Sequence, residues 1–93
     1  MKGRRYKSVW DAIEDNPVQS ENMKLRSSLM IALQQHIKTQ GLTQAQAAKL
    51  FGVTQPRISD LTRGKIELFA IDTLVNMLAS AGIHVEMRID SAA

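Results

Sequence analysis

Residues 42–64 read Leu42-Thr43-Gln44-Ala45-Gln46-Ala47-Ala48-Lys49-Leu50-Phe51-Gly52-Val53-Thr54-Gln55-Pro56-Arg57-Ile58-Ser59-Asp60-Leu61-Thr62-Arg63-Gly64. Thr43 suits the cap of a helix over 44–51, and Thr54 the cap of a second over about 55–63. Pro56 falls in the first turn of that second helix, where a missing N–H costs little, and Gly64 ends it. Two helices that cross steeply need a small residue where they touch, and Ala48 stands there. The turn between them needs a residue that accepts positive φ, and Gly52 follows four positions on. Val53, Ile58 and Leu61 lie at the offsets that anchor the second helix on Ala47, Leu50 and Phe51. Small residue, glycine and three anchors in register spell a helix-turn-helix, whose second helix fits the major groove of DNA.

Outward from this unit, a long helix is expected over 17–40. Leu25, Leu29, Leu33 and Ile37 recur every fourth residue, with Ala32 and His36 beside them, and Gly41 supplies a left-handed cap. After the unit, Ile71, Leu74, Val75 and Leu78 describe another amphipathic helix closed by Gly82. Residues 1–7 form a basic arm (Lys2, Arg4, Arg5, Lys7). Residues 8–14 suggest a short helix capped by Ser8 with Val9, Trp10 and Ile13 apolar. Residues 83–90 change period from 3.6 to 2: apolar Ile83, Val85, Met87 and Ile89 alternate with polar residues, as in a half-buried strand. The expected division is an arm and short helix over 1–24, a reading domain over 25–82, and a strand and tail over 83–93.

Ninety-three residues allow one domain with one modest core. The absence of cysteine removes disulfides, thiolate zinc sites and cysteine nucleophiles together. No apolar run approaches a membrane span or a signal-peptide core, so the cytoplasm is the expected address. Net charge is only +3, but its distribution is uneven. Residues 38–65 hold Lys38, Lys49, Arg57, Arg63 and Lys65 against Asp60, whereas 66–93 hold Glu67, Asp72, Glu86 and Asp90 against Arg88. The positive charge sits where attraction to phosphate would require it.

With Ile58 and Leu61 turned inward at 100° per residue, Pro56, Ser59, Asp60 and Arg63 face outward, and Gln55 and Arg57 lie on the flanks. Gln55 is the best base reader, able to pair with an adenine edge. Arg57 suits guanine or a phosphate, Ser59 is short and tolerant, and the Pro56 ring can touch a thymine methyl. Asp60 either accepts from a cytosine amine or pairs with Arg57 or Arg63. Gln44, at a helix N-terminus, can meet a phosphate. Thr54 does so secondarily to capping, and Arg63 and Lys65 meet the backbone at the exit of the helix.

A lone strand needs a neighbour. Antiparallel pairing with a second copy about an axis at Met87 sets Glu86 opposite Arg88 and His84 opposite Asp90. An axis at Glu86 brings like charges together. Val85, Glu86, Met87, Arg88 and Ile89 are therefore the expected homodimer contacts, the competing reading being pairing with residues 4–9 of the same chain. A dimer would suit a palindromic double-stranded DNA site.

The run Leu42-Thr43-Gln44, Ala48, Gly52-Val53, Gln55, Ile58-Ser59 and Gly64 resembles the helix-turn-helix of phage Cro-type repressors, the XRE family, over about residues 29–82. The flanks, residues 8–15, 25–30 and 72–77, make the chain similar to HigA-type antitoxins encoded beside RelE-like toxins. The resemblance implies a mainly α fold: a five-helix Cro-repressor-like DNA-binding domain with an extra short amino-terminal helix and one carboxy-terminal β-strand, paired in a dimer. It implies a repressor of its own operon in which Tyr6, Trp10 and Ile13 contact a RelE-like ribonuclease toxin. Those residues equally suit covering the domain's own core. A phage-type regulator without a toxin, and an interaction module without DNA binding, are the other readings. The resemblance also gives Gln44 the phosphate contact of the corresponding glutamine in phage repressors.

No catalytic constellation can be assembled. His36 lies on an apolar stripe, as a core histidine would, and His84 on the polar face of the strand, with no second ligand at metal spacing to either. Ser27 and Ser28 lack a base, and no glycine loop cradles phosphate. No enzyme activity, metal or cofactor is expected.

Overall fold

Pro17 opens the first element of the computed structural model, which describes residues 17–91. Four α-helices and one 3-10 turn follow in order: α1 (Pro17–Gln40), α2 (Gln44–Phe51), α3 (Gln55–Thr62), the turn Ile66–Leu68, and α4 (Ile71–Ser80). The expected short helix over 8–14, with Tyr6, Trp10 and Ile13, lies outside the described residues. The described part is thus a mainly helical domain with four of the expected helices.

The local signals act as their chemistry requires. Gly41 takes φ 61° after α1. The Thr43 hydroxyl accepts from the Gln46 backbone N–H at 3.1 Å, and the Gln46 side chain accepts from the Thr43 N–H at 2.9 Å. This reciprocal capping box was spelled by Thr43-Gln44-Ala45-Gln46, although only the threonine half was expected. Gly52 turns the chain at φ 72°. A Cβ there would also stand 3.3 Å from the Ser80 hydroxyl, so glycine satisfies the conformation and the space at once.

Thr54 is a correction. It holds the N-cap position of α3 with extended backbone, but its side chain makes no capping hydrogen bond. The Arg57 and Ile58 N–H groups reach its carbonyl instead, so the hydroxyl remains on an exposed residue.

One core gathers all four helices. Leu33 from α1, Phe51 from α2, Ile58 and Leu61 from α3, Phe69 from the loop, and Leu74, Met77 and Leu78 from α4 are fully buried. Each such side chain contributes roughly 1.5–3 kcal/mol of transfer free energy. The α1 stripe is rotated from the expected one. Met30 and Leu33 carry the burial, Leu29 and Ile37 flank them, Leu25 is 40% exposed and Ala32 is exposed. The reason is Arg26, one turn before Met30, which donates to the carbonyls of Ile66 and Phe69 at 3.4 Å and turns Leu25 aside. His36 is half-buried, its ring tilted against Phe51 with centroids 6.0 Å apart.

The expected strand is also a correction: residues 83–91 carry no regular secondary structure. A strand exists only through a ladder with a neighbour, and no described residue supplies one. The segment nonetheless starts on the core, with Ile83 and Val85 half-buried against it, whereas Met87 and Ile89 stand exposed. The expected dimer contacts Val85, Glu86, Met87, Arg88 and Ile89 therefore lie in no sheet among the described residues.

Candidate nucleic-acid interface

The inner side of α3 is sealed by Ile58 and Leu61, both at 0% exposure. At 100° per residue this fixes which side chains the helix offers outward. Gln55, Pro56 and Arg63 are exposed, while Ser59 and Asp60 are half-buried on the same surface. Gln44 and Thr54 are exposed at the starts of α2 and α3, and Lys65 is half-buried just beyond the exit of α3. The expected outward set therefore lies at the starts of α2 and α3, along the outer side of α3 and at its exit.

Arg57 departs from expectation. Its guanidinium carbon stands 4.3 Å from the centroid of the Phe69 ring, and one of its NH groups donates to the Leu68 carbonyl at 3.1 Å. Gln55 and Arg57 are separated by 200° of helix, so when Gln55 borders the outer face Arg57 falls on the far flank, against the loop after α3. A cation held over an aromatic ring and tied to a carbonyl serves packing first. Asp60 likewise does not form the ion pair considered for it: Arg57 is engaged elsewhere, and no described salt bridge joins Asp60 to Arg63. Its carboxylate stays on the outward surface.

Helix α3 is braced from behind. Gln34 of α1 donates from Nε2 to the Leu61 carbonyl at 2.8 Å, a second bond to a C-terminal carbonyl that also accepts from the Gly64 N–H at 3.1 Å. The Ser80 hydroxyl donates to the Leu50 carbonyl at 2.9 Å, bracing the end of α2 in turn. Two buried-face anchors, a braced C-terminus and a capped neighbour hold the pair α2–α3 as one rigid unit.

A family model described as a helix-turn-helix domain matches residues 12–90. A solved chain described as an XRE family transcriptional regulator matches at 32% identity and a TM-score of 0.72, over 78% of this chain and 82% of that one. The chain belongs to the XRE family of helix-turn-helix proteins. None of the curated proteins matches it.

Within this XRE-family domain, three residues that shape the interface escaped the sequence reading. Gln34 and Arg26 are polar residues whose partners are carbonyls far along the chain, and no pattern in the sequence marks such a contact. Phe69 lies between the two helical periods, in a loop, and its full burial left no periodic trace. Among the described residues, no group of three His, Asp or Glu side chains could hold a metal, and no helix is long and apolar enough to cross a membrane.

Proposed function

We propose that this chain is a sequence-specific, double-stranded-DNA-binding transcriptional repressor. The observation that carries the reading is the complete burial of Ile58 and Leu61, which leaves Gln55, Pro56, Ser59 and Arg63 as the outward surface of α3. In this reading Gln55 reads a base edge, Pro56 touches a thymine methyl, and Ser59 and Asp60 line the groove. Gln44, Thr54, Arg63 and Lys65 position the domain on phosphates. Arg57 acts through Phe69, holding the helix rather than reading a base. As a homodimer the protein matches a palindromic operator with half-sites about one helical turn (~34 Å) apart. The description of the similar solved chain as a transcriptional regulator supports the same reading.

The deciding measurement is binding of a fluorescent fragment of the protein's own promoter across a salt series. Repression through this interface requires affinity that falls steeply with salt and exceeds that for unrelated DNA. Equal affinity for both fragments, or no binding at low salt, overturns it.

The finer proposal is that the repressor is an antitoxin that neutralises a RelE-like ribonuclease toxin through Tyr6, Trp10 and Ile13. It rests on the resemblance of the flanking segments to HigA-type antitoxins. Co-expression with the neighbouring reading frame tests it. The antitoxin role requires a stable complex with a small basic protein, lost on Trp10→Ala. Without such a partner the chain is a stand-alone phage-type regulator.

A further inference from the structure

Residues 63–70 join α3 to α4, and two arginines grip that loop by its main chain. Arg26 of α1 donates from Nη1 to the carbonyls of Ile66 and Phe69, both at 3.4 Å, and from Nε to the Asn22 side-chain oxygen at 2.7 Å. Arg57 of α3 donates to the Leu68 carbonyl at 3.1 Å and lies over the Phe69 ring. Among the described residues, neither guanidinium is paired with a carboxylate. Nor do the Leu68 and Phe69 carbonyls meet a main-chain donor there. The two side chains supply what the turn's own backbone leaves open.

Lys65 stands in this loop, just past the exit of α3. Its N–H donates to the Asp60 carbonyl at 3.0 Å, and its carbonyl accepts from the Leu68 N–H at 3.0 Å. The main chain of Lys65 is thus tied to α3 on one side and to the 3-10 turn on the other. Its ammonium makes no ion pair among the described residues. Ile66, the next residue, packs against the core, and its carbonyl is one of the two that Arg26 holds. Whatever fixes the turn therefore fixes the direction in which the Lys65 side chain leaves the surface.

We infer that Arg26 is a positioning residue of the DNA interface. Its fork, steadied by Asn22, holds the turn Ile66–Leu68 against α1, and the turn aims Lys65 at a backbone phosphate. The inference rests on the proposed phosphate contact of Lys65 and adds the residue that sets it. A lysine does not replace the fork, because one ammonium lacks the planar, spaced donors that meet Asn22 and the loop together. A phosphate contact shows in the salt dependence: each neutralised phosphate releases counterion and adds about 0.9 to the slope of log affinity against log salt. Loss of folded protein instead lowers affinity by one factor across the salt series, so the slope separates positioning from support of the fold.

Arg26→Lys keeps the charge, so a changed slope cannot come from a charge removed. Arg26→Met keeps the apolar stem and removes the donors. Each full-length variant is titrated with the fluorescent promoter fragment across the salt series, its folded fraction followed by circular dichroism. Both are expected to bind roughly threefold to tenfold more weakly, with the slope lower by about one and base preference unchanged. In a chain that already carries Lys65→Ala, neither is expected to lower the slope further, because the contact it positions is gone. A slope unchanged in both variants, or losses that multiply in the Lys65→Ala chain, overturns the inference and leaves Arg26 a support of the fold alone. Should Arg26→Met not fold, Arg26→Lys decides by the same two outcomes. Failure of the unsubstituted protein to bind at low salt is a separate result: it overturns the DNA-reading proposal, and this inference falls with it.

Discussion

The guanidinium of Arg57 is stacked on the ring of Phe69 at 4.3 Å. This joins the flank of the outward helix to the loop that follows it. The sequence offers Arg57 as a contact to guanine or phosphate; in the structure its guanidinium is held by Phe69 and the Leu68 carbonyl. Arg57→Ala is accordingly expected to lower stability by about 0.5–1.5 kcal/mol in urea denaturation, from the lost cation–π contact and the lost bond to the Leu68 carbonyl. Base preference, measured by selection from random DNA, is expected to stay the same. A changed preference at a single base would show Arg57 in the groove.

Gln55 should behave in the opposite way. It is exposed, so Gln55→Ala leaves stability within about 0.5 kcal/mol. In the proposed complex it costs about 1–3 kcal/mol at one base pair and relaxes specificity there. Lys65→Ala should instead weaken all sequences alike and reduce the salt slope by about one. Binding to a panel of operators with single base changes, each at several salt concentrations, separates the two.

Gly52 carries two constraints that one substitution exposes together. At φ 72° an added Cβ costs about 1–2 kcal/mol, and it would stand 3.3 Å from the Ser80 Oγ. Gly52→Ala is expected to lose at least that much stability by thermal denaturation. Ser80→Ala in the same chain removes the hydroxyl and should recover part of the loss, though it also frees the Leu50 carbonyl. Additive losses in the double variant would show that Ser80 is not the obstacle.

The helix boundaries were legible because they are local. Gly41, Thr43, Gly52 and Gly64 act on their own turns, and the elements fall within a residue of where those signals put them. The α1 stripe was legible only approximately: the leucine run from Leu25 fits a helical period, yet Arg26 takes the inward place through carbonyls forty residues away. The strand period over 83–90 was visible, but a ladder needs a partner, and none of the described residues supplies one. This difference is measurable. Met30→Ala, at a buried position, is expected to cost about 2–5 kcal/mol. Leu25→Ala, 40% exposed, should cost under about 1 kcal/mol in the monomer. Equal losses would restore the leucine stripe.

Gln34 offers the sharpest test of how α3 is held. Its side-chain amide reaches across from α1 to the Leu61 carbonyl at 2.8 Å, in a part-buried contact. A helix of eight residues has few internal hydrogen bonds, so its C-terminal carbonyls weigh heavily in its persistence. Gln34→Leu keeps most of the volume and deletes the donor, leaving that carbonyl with only the Gly64 N–H at 3.1 Å. The expected loss is about 0.5–1.5 kcal/mol of stability, the net worth of one hydrogen bond. Amide hydrogen exchange should speed up in 58–64 more than in α2 or α4, since fraying starts where the brace is removed. DNA affinity should fall without any change in base preference, because the same side chains are presented by a less persistent helix. A uniform rise in exchange across all helices would mean that Gln34 supports the core as a whole and not α3 in particular.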